Sequence, residues 1–231
     1  MKRKVLIAMA LVAMMLMMVF AVSCTKPDVV HEYVDLGLPS GTLWATCNIG
    51  ATTPEGYGDY FAWGETKAKS VYNWEKYKYA KGYFDEYPLL TKYCTDDSYG
   101  NNGFEDNLTL LQPGDDAATA NWGRDWRMPT FEEWEELRNN TTRIWTTQNG
   151  VYGKLFTGSN GNTLFLPAAR LQQEGLNFNY SFGSYWSSTL EEWSPNCAII
   201  FKIHEREISN EISSYYRCYG LSVRAVRDVA E

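Results

Sequence analysis

Histidine is almost missing from this chain: His31 and His204 are the only two in 231 residues. The five cysteines (Cys24, Cys47, Cys94, Cys197, Cys218) include no Cys-x-x-Cys. Without paired histidines or close thiols there is no local zinc-binding signature. No Gly-x-Ser-x-Gly elbow occurs, and the nearest approach, Gly183-Ser-Tyr-Trp-Ser187, lacks the second glycine. A glycine-rich phosphate loop is also absent. Basic residues are in deficit, 21 Lys and Arg against 28 Asp and Glu, for a formal charge of −7. That balance argues against nucleic acid and anionic membrane surfaces as partners.

What is abundant is aromatic: 9 Trp and 16 Tyr. Such area fills a core, and it is also what exposed recognition surfaces use. At the N-terminus Lys2-Arg3-Lys4 precedes an apolar run from Val5 to Val22, followed by Ser23-Cys24. This is the pattern of a secretory signal, although the run also has the length of a single membrane span. Ala21-Val22-Ser23-Cys24 resembles a bacterial lipobox, which implies lipidation of Cys24 and removal of residues 1–23. Cleavage removes three basic residues and takes the formal charge from −7 to −10. The expected organisation is a signal peptide over residues 1–23, a tether over 24–32 and one domain over 33–231. The expected location is the cell envelope, lipid-anchored at the outer membrane and facing outward.

The strongest local signal lies between Trp122 and Leu137. Thr130 with Glu133 forms a capping box, and Pro129 keeps Met128 out of the helix. Phe131, Trp134 and Leu137 recur at helical spacing, and Asn139-Asn140 ends the segment. Glu132, Glu133, Glu135 and Glu136 read as a solvated face. Short strands are expected on either side of Pro39-Ser40-Gly41, at Tyr152–Phe156, Thr163–Leu166, Ser184–Thr189 and Cys197–Ile203, and at Leu221–Arg227 with period two. Residues 67–93 read as a loop-rich excursion. Many short strands and few helices suggest an α+β domain with small antiparallel sheets.

Gly123-Arg-Asp-Trp-Arg-Met-Pro-Thr130 with Glu132-Glu-Trp134 resembles the core of the Fibrobacter succinogenes major paralogous domain. Leu166-Pro-Ala-Ala-Arg170, Gly183–Thr189 and Tyr219–Arg227 are similar to its later blocks, in order, and Val34–Ala51 to its opening. The resemblance implies a C-type-lectin-like fold of the sulfatase-modifying-factor (formylglycine-generating) type. That type's local pair of copper-binding cysteines is not matched, since Cys197 is 21 residues from Cys218. Gln112-Pro113-Gly114 and Ser194-Pro195-Asn196 do not match the sugar-binding triplets of calcium-dependent lectins.

Two disulfides are candidates, Cys197–Cys218 and Cys47–Cys94, with buried free thiols as the alternative. Asp96 to Asn107 is the one oxygen-rich loop. Asp96, Asp97, Glu105 and Asp106 are weak calcium candidates, and Gly100 falls where an EF-hand would need a ligand; a solvated turn is the competing reading. No other cofactor is expected. The first functional expectation is a monomeric, non-catalytic binding module for a protein or glycan, using loop residues Asn177, Phe178, Tyr180, Trp193, Asn196, His204, Tyr215 and Tyr216. If this C-terminal region is diversified between copies, residues 190–217 would carry the variable, solvent-facing positions; an ordinary surface loop is the competing reading. The second is an exported hydrolase or oxidase whose site assembles only in three dimensions.

Overall fold

Pro39-Ser40-Gly41 turns the chain as expected, and β1 (Tyr33–Asp35) pairs antiparallel with β2 (Leu43–Asn48). On its other edge β2 takes β13 (Arg224–Arg227), so the first and last strands share one three-stranded sheet. The computed structural model describes residues 30–84, 87–172, 182–206 and 211–229. Contacts gather His31–Glu231 into one compact unit, with Met1–Val30 as a separate one. The apolar run 5–22, Cys24, and the loop residues Asn177, Phe178 and Tyr180 lie outside the described residues. Within them, no helix is long and apolar enough to cross a membrane.

The main sheet has the order β11-β10-β9-β12-β3. Its strands are β3 (Tyr60–Phe61), β9 (Phe182–Leu190), β10 (Cys197–His204), β11 (Ile212–Tyr216) and β12 (Leu221–Ser222). Only β12 and β9 run parallel. A second three-stranded sheet, β6 (Thr142–Gln148), β7 (Val151–Thr157) and β8 (Thr163–Pro167), is antiparallel throughout. Asn149 and Gly150, both at positive φ, make its two-residue hairpin turn. The fourth sheet is the hairpin β4 (Ala80–Phe84) and β5 (Tyr87–Leu90). Among the described residues, two short α-helices, α1 (Ala117–Trp122) and α2 (Phe131–Asn140), complete an α+β fold of mostly small antiparallel sheets.

The main sheet is covered on both faces. Along β9 and β10 successive residues alternate sides. Trp186, Ala198 and Ile200 enter one core with Trp63, Tyr77, Tyr93 and Trp126, while Tyr185, Phe201 and Ile203 enter another with Trp44, Trp134 and Leu137. Helix α2 forms where its capping box places it: Thr130 Oγ1 accepts from Glu133 N, and the Glu133 carboxylate accepts from Thr130 N. It docks through Trp134, stacked on Phe201 at 4.6 Å and tilted against Trp44 at 4.7 Å, with Nε1 donating to Trp186 O. Burial of such a ring is typically the largest single contribution in a core.

Several expectations change at this level. The glutamates of α2 are not a uniformly solvated face, because Glu133 binds Arg127 and Glu136 binds the Ser40 hydroxyl across the fold. Residues 67–93 hold the β4–β5 hairpin and four buried tyrosines, Tyr72, Tyr77, Tyr79 and Tyr93. The C-terminal segment is buried on both sides: Ser222 and Arg224 are as enclosed as Leu221 and Val223. Arg224 enters without a carboxylate, donating to Asn48 Oδ1 and to the carbonyls of Ala45 and Thr46. Burial pulls its guanidinium pKa down to about 10.

Candidate functional site

Between β9 and β10 the chain turns through residues 191–196. The turn is closed by Cys197 N donating to Ser194 O at 2.7 Å, Ser194 N to Glu191 O and Glu191 N to Cys197 O, both at 3.2 Å. Trp193 sits at its tip, 88% exposed. Beside it lies a groove of about 430 Å³ lined by Thr95, Asp96, Asn107, Thr109, Glu192 and Trp193. That size falls in the ordinary range of small-ligand sites. The two walls are joined directly, since Thr95 Oγ1 donates to Glu192 O at 3.0 Å.

The opposite wall is the oxygen-rich loop, and its carboxylates serve the loop's own backbone. Asp106 accepts from the amides of Tyr93, Cys94 and Leu108 at 2.8, 2.9 and 3.2 Å. Asp96 caps the short turn after it, accepting from the Ser98 amide and hydroxyl. Those hydrogen bonds hold the Asp96 carboxyl below the usual range, so it stays ionised. Gly100 is where the loop folds back on itself: a Cβ there would lie 1.9 Å from Phe104 O. Among the described residues no group of three or more Asp, Glu, His or Cys is placed to hold a metal ion. Asp96 and Asp106 have amide and hydroxyl donors where calcium was considered, and Glu105 points to solvent as an exposed residue.

Beneath the groove is a buried polar assembly with no counterpart among the sequence expectations. The Arg217 guanidinium is fully buried. Its Nη1 donates to Tyr93 O at 2.8 Å and Pro195 O at 2.7 Å, Nη2 to Lys92 O at 2.9 Å, and Nε to the Tyr77 hydroxyl at 2.9 Å. One side chain therefore grips the segment leading into the Asp96 loop and the turn that carries Trp193. Its charge lies over the rings of Trp63, Tyr77 and Tyr93, 5.0 to 5.8 Å from their centroids. Next to it Asp115, 6% exposed, accepts from the Tyr79 and Tyr93 hydroxyls and pairs with Lys92 at 2.6 Å and Lys78 at 3.1 Å. Burial alone would raise the Asp115 pKa, but the donors Lys92, Tyr79, Tyr93 and Lys78 outweigh it and hold the carboxyl well below its usual range. Its neighbour Asp116 shifts the other way, raised by burial, while it caps α1 through Thr119 N and accepts from Met128 N.

Of the loop residues singled out by sequence, the structure brings Trp193 and Asp96 into one groove. Asn196 is not a surface residue: it is 6% exposed, and its carbonyl accepts from Arg217 N. His204 lies at the opposite end of β10 from Trp193, paired with Phe182, and its Nδ1 accepts from Arg206 N. Tyr216, 42% exposed, leans on Trp74 and Tyr219, and Tyr215 packs on Tyr219 beneath Lys202. These tyrosines form a separate cluster from the groove residues. Thr95, Asn107, Thr109 and Glu192 complete the groove and were missed as a set. Each is an ordinary polar residue, and only the pairing of segments 95–109 and 192–193 unites them.

All four described cysteines are free thiols, and neither expected bridge is formed. Cys197 opposes Tyr216 in the β10–β11 register rather than Cys218, and the Cys94 thiol donates to Asp96 O. Burial pushes the Cys197 and Cys218 thiols up to about 11 and about 12, which keeps them protonated and unreactive near neutrality. Compared against family models, curated proteins and solved structures, the chain matches none.

Proposed function

We propose that the chain is a bacterial envelope lipoprotein whose domain, a C-type-lectin-like fold of the sulfatase-modifying-factor type, acts as a non-catalytic binding module. The observation that carries the reading is Trp193: a large apolar ring held out in water on a turn closed by three backbone hydrogen bonds, at the rim of a polar groove. Exposing such a ring forgoes its burial, on the order of 2–3 kcal/mol, and fixing the backbone beneath it reduces the ordering cost of binding. Asp96 is held ionised by its hydrogen bonds to Ser98 and serves as an acceptor at the groove wall. The ordered motifs between residues 34 and 227 support the fold assignment, and Ser23-Cys24 after the apolar run supports the anchor.

Two measurements test this. Cys24→Ala should abolish acyl labelling by a lipid precursor and leave the chain unprocessed; unchanged labelling overturns the anchor. For the module, Trp193→Ala should weaken binding to whichever surface material the wild type retains. Turnover of a bound ligand by the wild type, or retention indifferent to Trp193, overturns a non-catalytic site at this groove.

A further inference from the structure

We infer that the Trp193 groove takes a saccharide without acidic groups. This rests on the reading of the groove as a binding site and names its ligand class. A pyranose ring presents an apolar C–H face and a rim of hydroxyls, and the groove offers one partner for each. The exposed indole of Trp193 supplies a flat apolar platform. Around it stand the polar residues Thr95, Asn107 and Thr109 and the acidic residues Asp96 and Glu192; the Thr95 hydroxyl already donates to Glu192 O, which leaves its oxygen as an acceptor. Hydroxyl groups donating to ionised carboxylates form the stronger, charge-assisted class of hydrogen bond. Asp96 is kept in that state by the Ser98 amide and hydroxyl.

The same lining excludes the main competitors. It holds no Lys, Arg or His, so a sulfated, uronic or phosphorylated ligand would meet two negative charges and no positive one. A stacked nucleotide fails on that ground too. An extended peptide needs a free strand edge or apolar side-chain pockets. Here the backbone beside the groove is already used: Leu190 N donates to Thr109 O and Leu111 N to Ser188 O. The cavity of about 430 Å³ has room for one or two sugar rings. In this reading the sugar is held by protein groups alone, through the Trp193 ring and the polar residues of the groove.

The test uses the full-length chain in detergent, titrated with immobilised gluco-, manno-, galacto- and N-acetylglucosamine oligosaccharides, and with sulfated and uronic oligomers of the same length. At least one neutral oligomer should bind, unaffected by a metal chelator and little changed between 0.05 and 0.5 M salt. Trp193→Ala should weaken that binding about tenfold or more without changing the melting temperature. Asn107→Ala, which removes hydrogen bonds and leaves the stacking platform, should weaken it by a smaller factor. Failure of every neutral oligomer to bind, a preference for the acidic set, or full binding by Trp193→Ala overturns the inference. A glycoprotein before and after chemical deglycosylation separates this failure from that of the module. Equal, Trp193-dependent binding to both forms overturns the saccharide and leaves a protein-binding module standing. Loss of binding on deglycosylation supports the saccharide.

Discussion

Aspartate and large aromatics are used in two opposite ways within one part of the chain. In the assembly around Arg217 and Asp115, the hydroxyls of Tyr79 and Tyr93 donate to the Asp115 carboxylate, and that of Tyr77 accepts from Arg217 Nε while donating to Trp63 O. In the groove above it, the Trp193 ring and the Asp96 and Glu192 residues face water. The first arrangement fixes geometry, and the second leaves surface for a partner. The two are mechanically linked, because Arg217 holds Tyr93 O on one side and Pro195 O on the other. Residue type therefore says little about role here; burial and the identity of the hydrogen-bond partner decide it.

Substitutions can break this division. Arg217→Ala should have the largest effect, about 3–5 kcal/mol lost in urea unfolding, since three carbonyls and a tyrosine hydroxyl are left without their buried donor. Arg217→Lys should recover only part of it, because an ammonium cannot reproduce the fork. Asp115→Ala should cost about 3 kcal/mol by stranding the Tyr79 and Tyr93 hydroxyls. Its pH dependence has a definite sign. The folded-state pKa of Asp115 lies below the ordinary carboxylate value of about 3.9. Its stabilisation is thus complete above about pH 4 and fades as the pH falls through the folded value. Asp116, with a raised pKa, acts in the opposite direction and in the adjoining window above the ordinary carboxylate value, where its effect is lost from stability as the pH rises. The acid limb of the wild-type stability curve should therefore be steeper than that of Asp115→Ala.

Smaller effects sharpen the contrast. Tyr93→Phe removes a hydroxyl that donates to Asp115 and accepts from Gln112 N, and should lower stability by about 1–2 kcal/mol. Trp193→Ala should leave stability within about 0.5 kcal/mol of wild type, as expected for an exposed position. A loss above about 2 kcal/mol there would show that the ring is a core element, and would erase the difference between the two regions.

The parts of this fold that were legible in the sequence are those encoded locally. Thr130, Glu133 and Pro129 lie within five residues of each other, so the start of α2 is written in one short stretch. Strands β7 to β10 announced themselves by turn residues on either side of β-branched and aromatic runs. The Arg217 assembly had no such signature. Its contacts reach from Pro195, 22 residues away, to Tyr77, 140 away, and no spacing rule joins them. The C-terminal segment misled because alternation identifies one buried face only when the other is wet. Trp193 and Asn196 were singled out for the same compositional reason. A three-residue step around a tight turn put one in solvent and the other under Arg217.

The placing of β1 and β13 on either edge of β2 has a topological consequence. Two strand spacings, about 10 Å, separate them, and the Arg227 guanidinium lies over the Tyr33 ring at 5.3 Å. The backbone from Tyr33 to Arg227 is thus nearly a closed ring, with its entrance and exit side by side. Such a chain suits circular permutation: a short linker from Val229 to His31, with new ends opened at Asn149-Gly150, would keep every strand pairing described above. A reporter fused after Val229 would emerge beside the segment that leads in from Val30.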